Sequence, residues 1–333
     1  MSEDDEKISS GADDLALRAA WLYHVDGLTQ AEVAERLYVS RPTVGRLLER
    51  AQASGIVHVE IDAQRLATVE AAVRLQRCFG LDEAIVVPSD PRGDDRERGS
   101  ARLATAAAER VRGYLHPGAV IGVAWGDAVQ RTLADLPASA LAGVTLATLS
   151  GGIDYISQRI IGHPAIGGHL RAIPAPLIVT NPEMARALRK EPGVRDVLDL
   201  GRGAGLTLTG VGTALPGSSA ARAGLVSDAE VAAFAAQGAV GDMLGEWFDA
   251  QGRVLAGATS QRRIGIELEE LRSMPNVVGI AGGREKVAAI RGALRGGYID
   301  VLITDEDVAQ ALVADHRQVA SERRCGNGRA AAN

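Results

Sequence analysis

Residues 28–51, LTQAEVAERLYVSRPTVGRLLERA, constrain this chain more than any other stretch. Thr29 is placed to cap a helix, and Glu32 three residues later completes a capping box. Val33 and Leu37 then fall on one helical face with Ala34 beside them. Tyr38-Val39 breaks the pattern, and Ser40 offers a second N-cap. Pro42 lies in the first turn of the next helix, where a missing N–H costs little. In that helix Val44, Leu47, Leu48 and Ala51 share one face, while Pro42, Thr43, Arg46, Glu49 and Arg50 share the other. Two short helices and a tight turn, the second helix with an apolar back and an Arg/Thr front, form a helix-turn-helix, whose second helix enters the DNA major groove. Taken alone, the pattern also fits a structural hairpin with a solvated face. Its neighbours favour DNA. Leu15 to Tyr23 reads as a third amphipathic helix, Gly55 ends the recognition helix, and Ile56 to Ile61 alternates like a strand. The candidate DNA-facing residues are Thr29, Ser40, Arg41, Pro42, Thr43, Arg46 and Arg50, with Thr43 and Arg46 for base contact.

The formal charge of −6 is an objection to DNA binding. Between Leu15 and Asp62 five arginines face six acidic residues. Arrangement outweighs the sum: Arg41, Arg46 and Arg50 cluster on the recognition helix, whereas Asp26, Glu32 and Glu35 can lie away from the groove. Two or four copies would supply the phosphate contacts that one module lacks.

A chain of 333 residues predicts two domains, one with a substantial core. Residues 1–14 read as a disordered acidic tail, 15–62 as the winged helix-turn-helix, and 63–80 as a linker helix. Leu66, Val69 and Val73 form an apolar stripe on that helix. It either packs on the second domain or pairs between subunits. Residues 81–318 form the larger domain, and 319–333 a flexible tail. Apolar strands at 84–88, 119–126, 144–152, 176–181, 206–212, 277–283 and 301–305 alternate with helical patterns, including one near 163–171. That rhythm predicts an α/β fold with a doubly wound, largely parallel sheet. No signal peptide or membrane span is evident, and Cys78 and Cys325 read as free thiols, so a cytoplasmic protein is expected.

Ligands of such sheets bind at the C-terminal strand ends. Ser150-Gly151-Gly152 there is either an anion-binding nest or a tight turn. Gly282-Gly283 followed by Arg284-Glu285-Lys286 brings backbone donors, a helix start and a cation together. Lys286 is one of only three lysines in the chain, and reads either as a surface residue or as a phosphate partner. Gly210-Val211-Gly212-Thr213 and Thr304-Asp305 end two more strands. Asp154 and Asp242 are suited to accept hydrogen bonds from sugar hydroxyls or to cap turns. The histidines show no metal-ligand spacing, so neither metal nor cofactor is expected.

WLYHVDGLTQAEVAERL with SRPTVGRLLERAQASGIV resembles the N-terminal domain of the SorC family of bacterial sugar-responsive transcriptional regulators. Members usually carry Gly where Tyr38 stands and a polar residue where Gly45 stands. SGGIDY, TGVGTA, GDMLGEWFDAQGRV, AGGREKVAAIRGAL and VLITDEDVA resemble the effector-binding domain of the same family, so the likeness spans residues 15–315. The resemblance implies a fold similar to ribose-5-phosphate isomerase and glucosamine-6-phosphate deaminase, without the enzymatic role. It also implies an effector pocket lined by Ser150, Gly151, Gly152, Arg171, Asp242 and Lys286, with Arg171 and Lys286 facing a phosphate. HPAIGGHLRAI replaces a more polar helix of the family, which bears on which sugar is bound. The expectation is a homodimeric or homotetrameric regulator of carbohydrate catabolism. It would bind double-stranded operator DNA and respond to a sugar, a sugar phosphate or a phosphorylated polyol, with no membrane partner. The alternative is a phosphosugar isomerase or deaminase with an accessory helix-turn-helix. Such an enzyme needs a paired acid and base, and Asp127, Asp154, Asp242 and Asp305 form no recognisable pair in the sequence.

Overall fold

The computed structural model describes residues 3–57, 63–89, 96–152 and 169–315. The chain forms two compact units, Met1–Ala63 and Gln64–Asn333.

The first unit is three helices, α1 (Glu3–His24), α2 (Gln30–Leu37) and α3 (Arg41–Ala53). Ala16, Ala19 and Ala20 of α1 are buried with Val33, Ala34, Val44, Leu47 and Ala51. Small side chains on α1 let the helix backbones approach closely. Ile56 and Val57 pack against this core, while His58–Asp62, the rest of the expected wing strand, lie outside the described residues. The stretch read as a disordered tail is instead helical from Glu3. It contains no proline, and extending an existing helix needs no new nucleus. At its end Asp13 accepts a hydrogen bond from Arg50 Nε at 2.8 Å.

The second unit begins with α4 (Ala63–Phe79), where the linker helix was expected. Among the described residues its main sheet has seven parallel strands in the order β1-β10-β9-β5-β2-β3-β4. These are β1 (Glu83–Val87), β2 (Val120–Val123), β3 (Thr145–Thr148), β4 (Leu170–Arg171), β5 (Leu206–Gly210), β9 (Val277–Ile280) and β10 (Val301–Asp305). Period-two alternation feeds two cores. Val301 and Ile303 point to one face with α5 (Arg96–Val111) and α6 (Asp127–Ala134), and Leu302 points to the other with α4 and the helix at 306–315. The main sheet is thus parallel and covered on both sides, as its apolar runs predicted.

Three features differ from the sequence reading. A three-stranded antiparallel sheet joins β6 (Gly212–Thr213), β7 (Ala239–Met243) and β8 (Glu246–Asp249). It was not expected, because GDMLGEWFD carries no long apolar run. PLIVTN at 176–181 is not a sheet strand; Ile178 makes only an isolated bridge to Arg263, since Pro174 and Pro176 cannot donate to a ladder. Leu170-Arg171, expected at the end of a helix, is an edge strand paired with Leu146-Ala147; residues 153–168 lie outside the described residues.

Candidate functional site

In the first unit, α2 begins with the predicted capping box: Glu32 Oε2 accepts the Thr29 N–H at 2.7 Å, and Thr29 Oγ1 accepts the Glu32 N–H at 3.3 Å. These bonds hold the Glu32 carboxyl below its ordinary range. The helix stops at Tyr38, which adopts a left-handed conformation at φ 55° and is 96% exposed. Ser40 caps α3 and its hydroxyl lies 2.8 Å from that of Thr43. Val44, Leu47 and Ala51 are buried behind, so Arg41, Pro42, Arg46 and Glu49 are left exposed in front, with Thr43 half-buried. Two candidates are already engaged. Arg50 braces α3 against Asp13 of α1, and the Thr29 hydroxyl is committed to Glu32. Arg41 and Arg46 are the exposed cations of the N-terminal half of the recognition helix.

In the second unit a cavity of about 950 Å³ opens at the C-terminal ends of β2, β5, β9 and β10. Strand order reverses between β2 and β5, and this is the switch point where open α/β sheets bind ligands. The predicted strand ends Gly210-Val211-Gly212, Gly282-Gly283 and Asp305 all line the cavity.

Asp242 and Lys286, 44 residues apart in sequence, meet in its wall. Asp242 is 3% exposed, and its Oδ1 has no hydrogen-bond partner among the described residues. Burial pushes its carboxyl up to about 7, against the opposing pull of the Lys286 ammonium. Gly212 lies opposite Asp242 in the β6–β7 ladder, and a Cβ there would stand 1.9 Å from Oδ1. Only glycine leaves room for this carboxylate. Lys286 ends the turn Arg284–Lys286 that leads into α12 (Val287–Arg295). Helices α7 (Pro182–Leu188), α8 (Pro192–Arg202), α9 (Ser219–Arg222), α10 (Asp228–Ala236) and α11 (Ala258–Arg262) precede it. The indole Nε1 of Trp125, another wall residue, is buried with no hydrogen-bond partner among the described residues. An orphaned acceptor, an orphaned donor and a cation suit a polar, anionic ligand with hydroxyl groups.

Two arginines of the wall are paired with carboxylates. Arg284 makes a two-bond pair with Asp307 at 3.0 and 3.2 Å, and Arg131 Nε bonds Asp127 at 2.8 Å. Asp305 accepts the Gly283 and Val308 N–H groups at 2.6 and 2.9 Å, so the Gly283 amide does not face a ligand. Arg131 and Arg222 line the cavity but carried no signal in the sequence beyond the spacing of Asp127 and Arg131, four apart on one helix.

The structure does not bring Ser150, Gly151, Gly152 or Arg171 to this cavity, and Asp154 lies outside the described residues. Gly151 and Gly152 donate their N–H groups to the carbonyls of Ile264 and Ala175, each at 2.9 Å. Both donors are used within the fold, and Ser150 is buried in an isolated bridge to Gly265. Arg171 is exposed on the edge strand β4 and is not a wall residue.

Comparison with known proteins agrees with both units. The sugar-binding domain model Sugar-bind matches residues 64–314, and the MarR family model matches residues 19–65. The chain is 37% identical to the transcriptional regulator LsrR of Klebsiella pneumoniae over 309 residues, covering 91% of this chain and 93% of that protein. Its identity to LsrR of Escherichia coli K12 is 35%, over 89% of this chain and 93% of that protein. Among solved structures, the full-length sorbitol operon regulator SorC from Klebsiella pneumoniae superposes with a TM-score of 0.67 at 28% identity, covering 90% of this chain and 98% of that one. A DeoR family transcriptional regulator from Listeria monocytogenes gives the same TM-score at 26% identity, over 74% of this chain and 99% of that one.

Proposed function

The chain belongs to the SorC family of sugar-responsive transcriptional regulators, and on that premise we propose how its two units divide the work. It is a DNA-binding regulator modulated by a sugar, and not an enzyme. In our reading α3 lies in the major groove. Arg46 and Thr43 face base edges, and Arg41 neutralises phosphate at the start of the helix. The effector occupies the cavity at the β5/β2 switch point. Its anionic group, a phosphate on a sugar or polyol, sits against Lys286, and its hydroxyls donate to Asp242. Arg171 and the Ser150–Gly152 loop are left out of this site.

The observation that carries this reading is Asp242, a buried carboxylate with an unmet acceptor beside a cation, in a cavity large enough for a sugar phosphate. A buried polar group without a partner costs on the order of 1–3 kcal/mol, which a ligand hydroxyl would recover. Ligand then shifts the balance between DNA-binding and released states through its different affinity for the two. Two or four copies place recognition helices in successive grooves. The exposed apolar residues Leu66, Val69 and Val73 of α4 support contact between copies, and the cytoplasm is the expected location.

The test is a thermal-shift screen of the full chain against sugars, sugar phosphates and polyol phosphates. A ligand at a hundred times its dissociation constant stabilises by about 2.7 kcal/mol. Stabilisation by a phosphorylated compound that is lost in Lys286→Ala supports the assignment. A response to unphosphorylated compounds alone would remove the phosphate from it.

A further inference from the structure

Arg263 has no exposed surface, yet it carries a charge. Burial pushes its guanidinium pKa down, and Glu246 at 3.2 Å counters that. Placing a cation in the interior is unfavourable unless a counter-charge and hydrogen-bond acceptors meet it. Nη1 donates to the carbonyl of Leu244 at 3.1 Å and Nη2 to the carbonyl of Ile266, while Nε is buried with no partner among the described residues. Glu246 in turn accepts the N–H of Leu268, and the Arg263 carbonyl accepts Arg189 Nη2 at 2.6 Å.

These partners lie in two separate places. Leu244-Gly245 is the turn between β7 and β8, with φ values of 55° and 79°. Two successive left-handed residues make the tight hairpin turn that ordinarily takes Asn-Gly. Leucine is poorly suited to that conformation, and here its carbonyl is held by Arg263. Met243 and Leu244 form the cavity wall next to Asp242. The other place is the segment 264–266, which is joined to the end of β3. Ser150 bridges Gly265, the Gly151 N–H donates to Ile264, and the Ile266 N–H donates to Leu149. Gly265 suits the arrangement, because a Cβ there would stand 2.4 Å from Arg263 Nη1.

We propose that Arg263 is a positioning residue for effector recognition. It holds Leu244 in the left-handed turn that shapes the cavity wall, and it ties that wall to the Ser150–Gly152 loop so that the two behave as one piece. The link to recognition rests on reading the cavity as the effector site, but the coupling itself can be tested without ligand.

The experiment is amide hydrogen exchange on the full-length protein for wild type, Arg263→Lys, Gly265→Ala and Arg263→Lys/Leu244→Gly. Lysine cannot reach both carbonyls as a planar fork does. In Arg263→Lys, amides at 243–246 and at 264–266 should exchange at least tenfold faster together, with 206–210 and 277–280 at wild-type rates. Gly265→Ala, which displaces the guanidinium from the other side, should reproduce the pattern. Leu244→Gly should restore protection at 243–246 in the Arg263→Lys background but not at 264–266, because glycine adopts the turn unaided. Unchanged exchange at 243–246, acceleration spread over all strands, or failure of that rescue would overturn the proposal. If Arg263→Lys does not fold, Gly265→Ala with an unperturbed turn overturns it alone. A coupled wall in a protein that binds no sugar phosphate would instead count against the effector assignment and leave the coupling standing.

Discussion

Asp242→Asn should change how stability depends on pH, in a direction set by burial. The native carboxyl is pushed up to about 7, whereas an unfolded aspartate titrates near about 3.9. Between those values the native state holds a proton that the unfolded chain has lost. The associated stability is complete below about pH 4 and disappears as pH rises through about 7. At about 1.4 kcal/mol per unit, the whole shift amounts to roughly 4 kcal/mol, of which between 2 and 3 kcal/mol falls between pH 5 and 7. Asparagine fills the same space and does not titrate. The variant should therefore gain on the wild type as pH rises. For a unit of this size 1 kcal/mol is about 2–4 °C. The melting difference, variant minus wild type, should grow by about 5–10 °C from pH 5 to 7 and level off above pH 8. Differential scanning calorimetry in buffers of matched ionic strength reads it. A difference that stays constant across this range, or that shrinks with rising pH, would refute the burial-driven upward shift of the Asp242 carboxyl.

Three further outcomes follow from named geometry. Tyr38→Gly relieves a left-handed, exposed helix C-cap and should stabilise the first unit by about 1 kcal/mol, read from the urea midpoint of the full chain's DNA-binding unit. Gly212→Ala puts a methyl against Asp242 Oδ1; it should abolish stabilisation by any sugar phosphate that protects the wild type, while far-ultraviolet circular dichroism keeps its shape. Arg46→Ala should reduce discrimination between specific and random duplexes by about 1–3 kcal/mol in fluorescence anisotropy, and leave effector-induced thermal shifts unchanged.

Local chemistry was legible in the sequence wherever neighbours in the chain are also neighbours in space. Thr29 with Glu32, Ser40 with Pro42, and the apolar face of Val44, Leu47 and Ala51 predict the helix-turn-helix because capping and periodicity act within a few residues. The strand ends at Gly210, Gly282 and Asp305 were legible for the same reason, since a parallel sheet collects its C-terminal ends on one edge. What failed depended on distant partners. The N–H groups of Gly151 and Gly152 looked available until Ile264 and Ala175 supplied their carbonyls. Arg50, a DNA-facing candidate, is also bonded to Asp13 of α1, a partner that spacing could not show. Arg171 was placed by resemblance, but pairing of β4 with β3 leaves it on an exposed edge. Arg263, in QRRIGIE, resembles any surface arginine in sequence, and only the crossing of 264–266 with the β7–β8 turn buries it. Asp242 and Lys286 are the informative exception. Resemblance put both in one pocket; the register of β6 with β7 brings Asp242 to the wall, and the turn Arg284–Lys286 after β9 brings Lys286.

The most direct test of the central claim is a linked binding titration. A high-affinity duplex would be selected from a random library with the full-length protein, and its dissociation constant measured by anisotropy at fixed salt while sugar phosphates are added. At least one phosphorylated sugar or polyol should change that constant by tenfold or more in the wild type and by less than twofold in Lys286→Ala, with DNA affinity in the absence of effector unchanged by the substitution. An equal effector response in wild type and Lys286→Ala would contradict the account of the cavity. Failure to select any preferred duplex would contradict the account of α3.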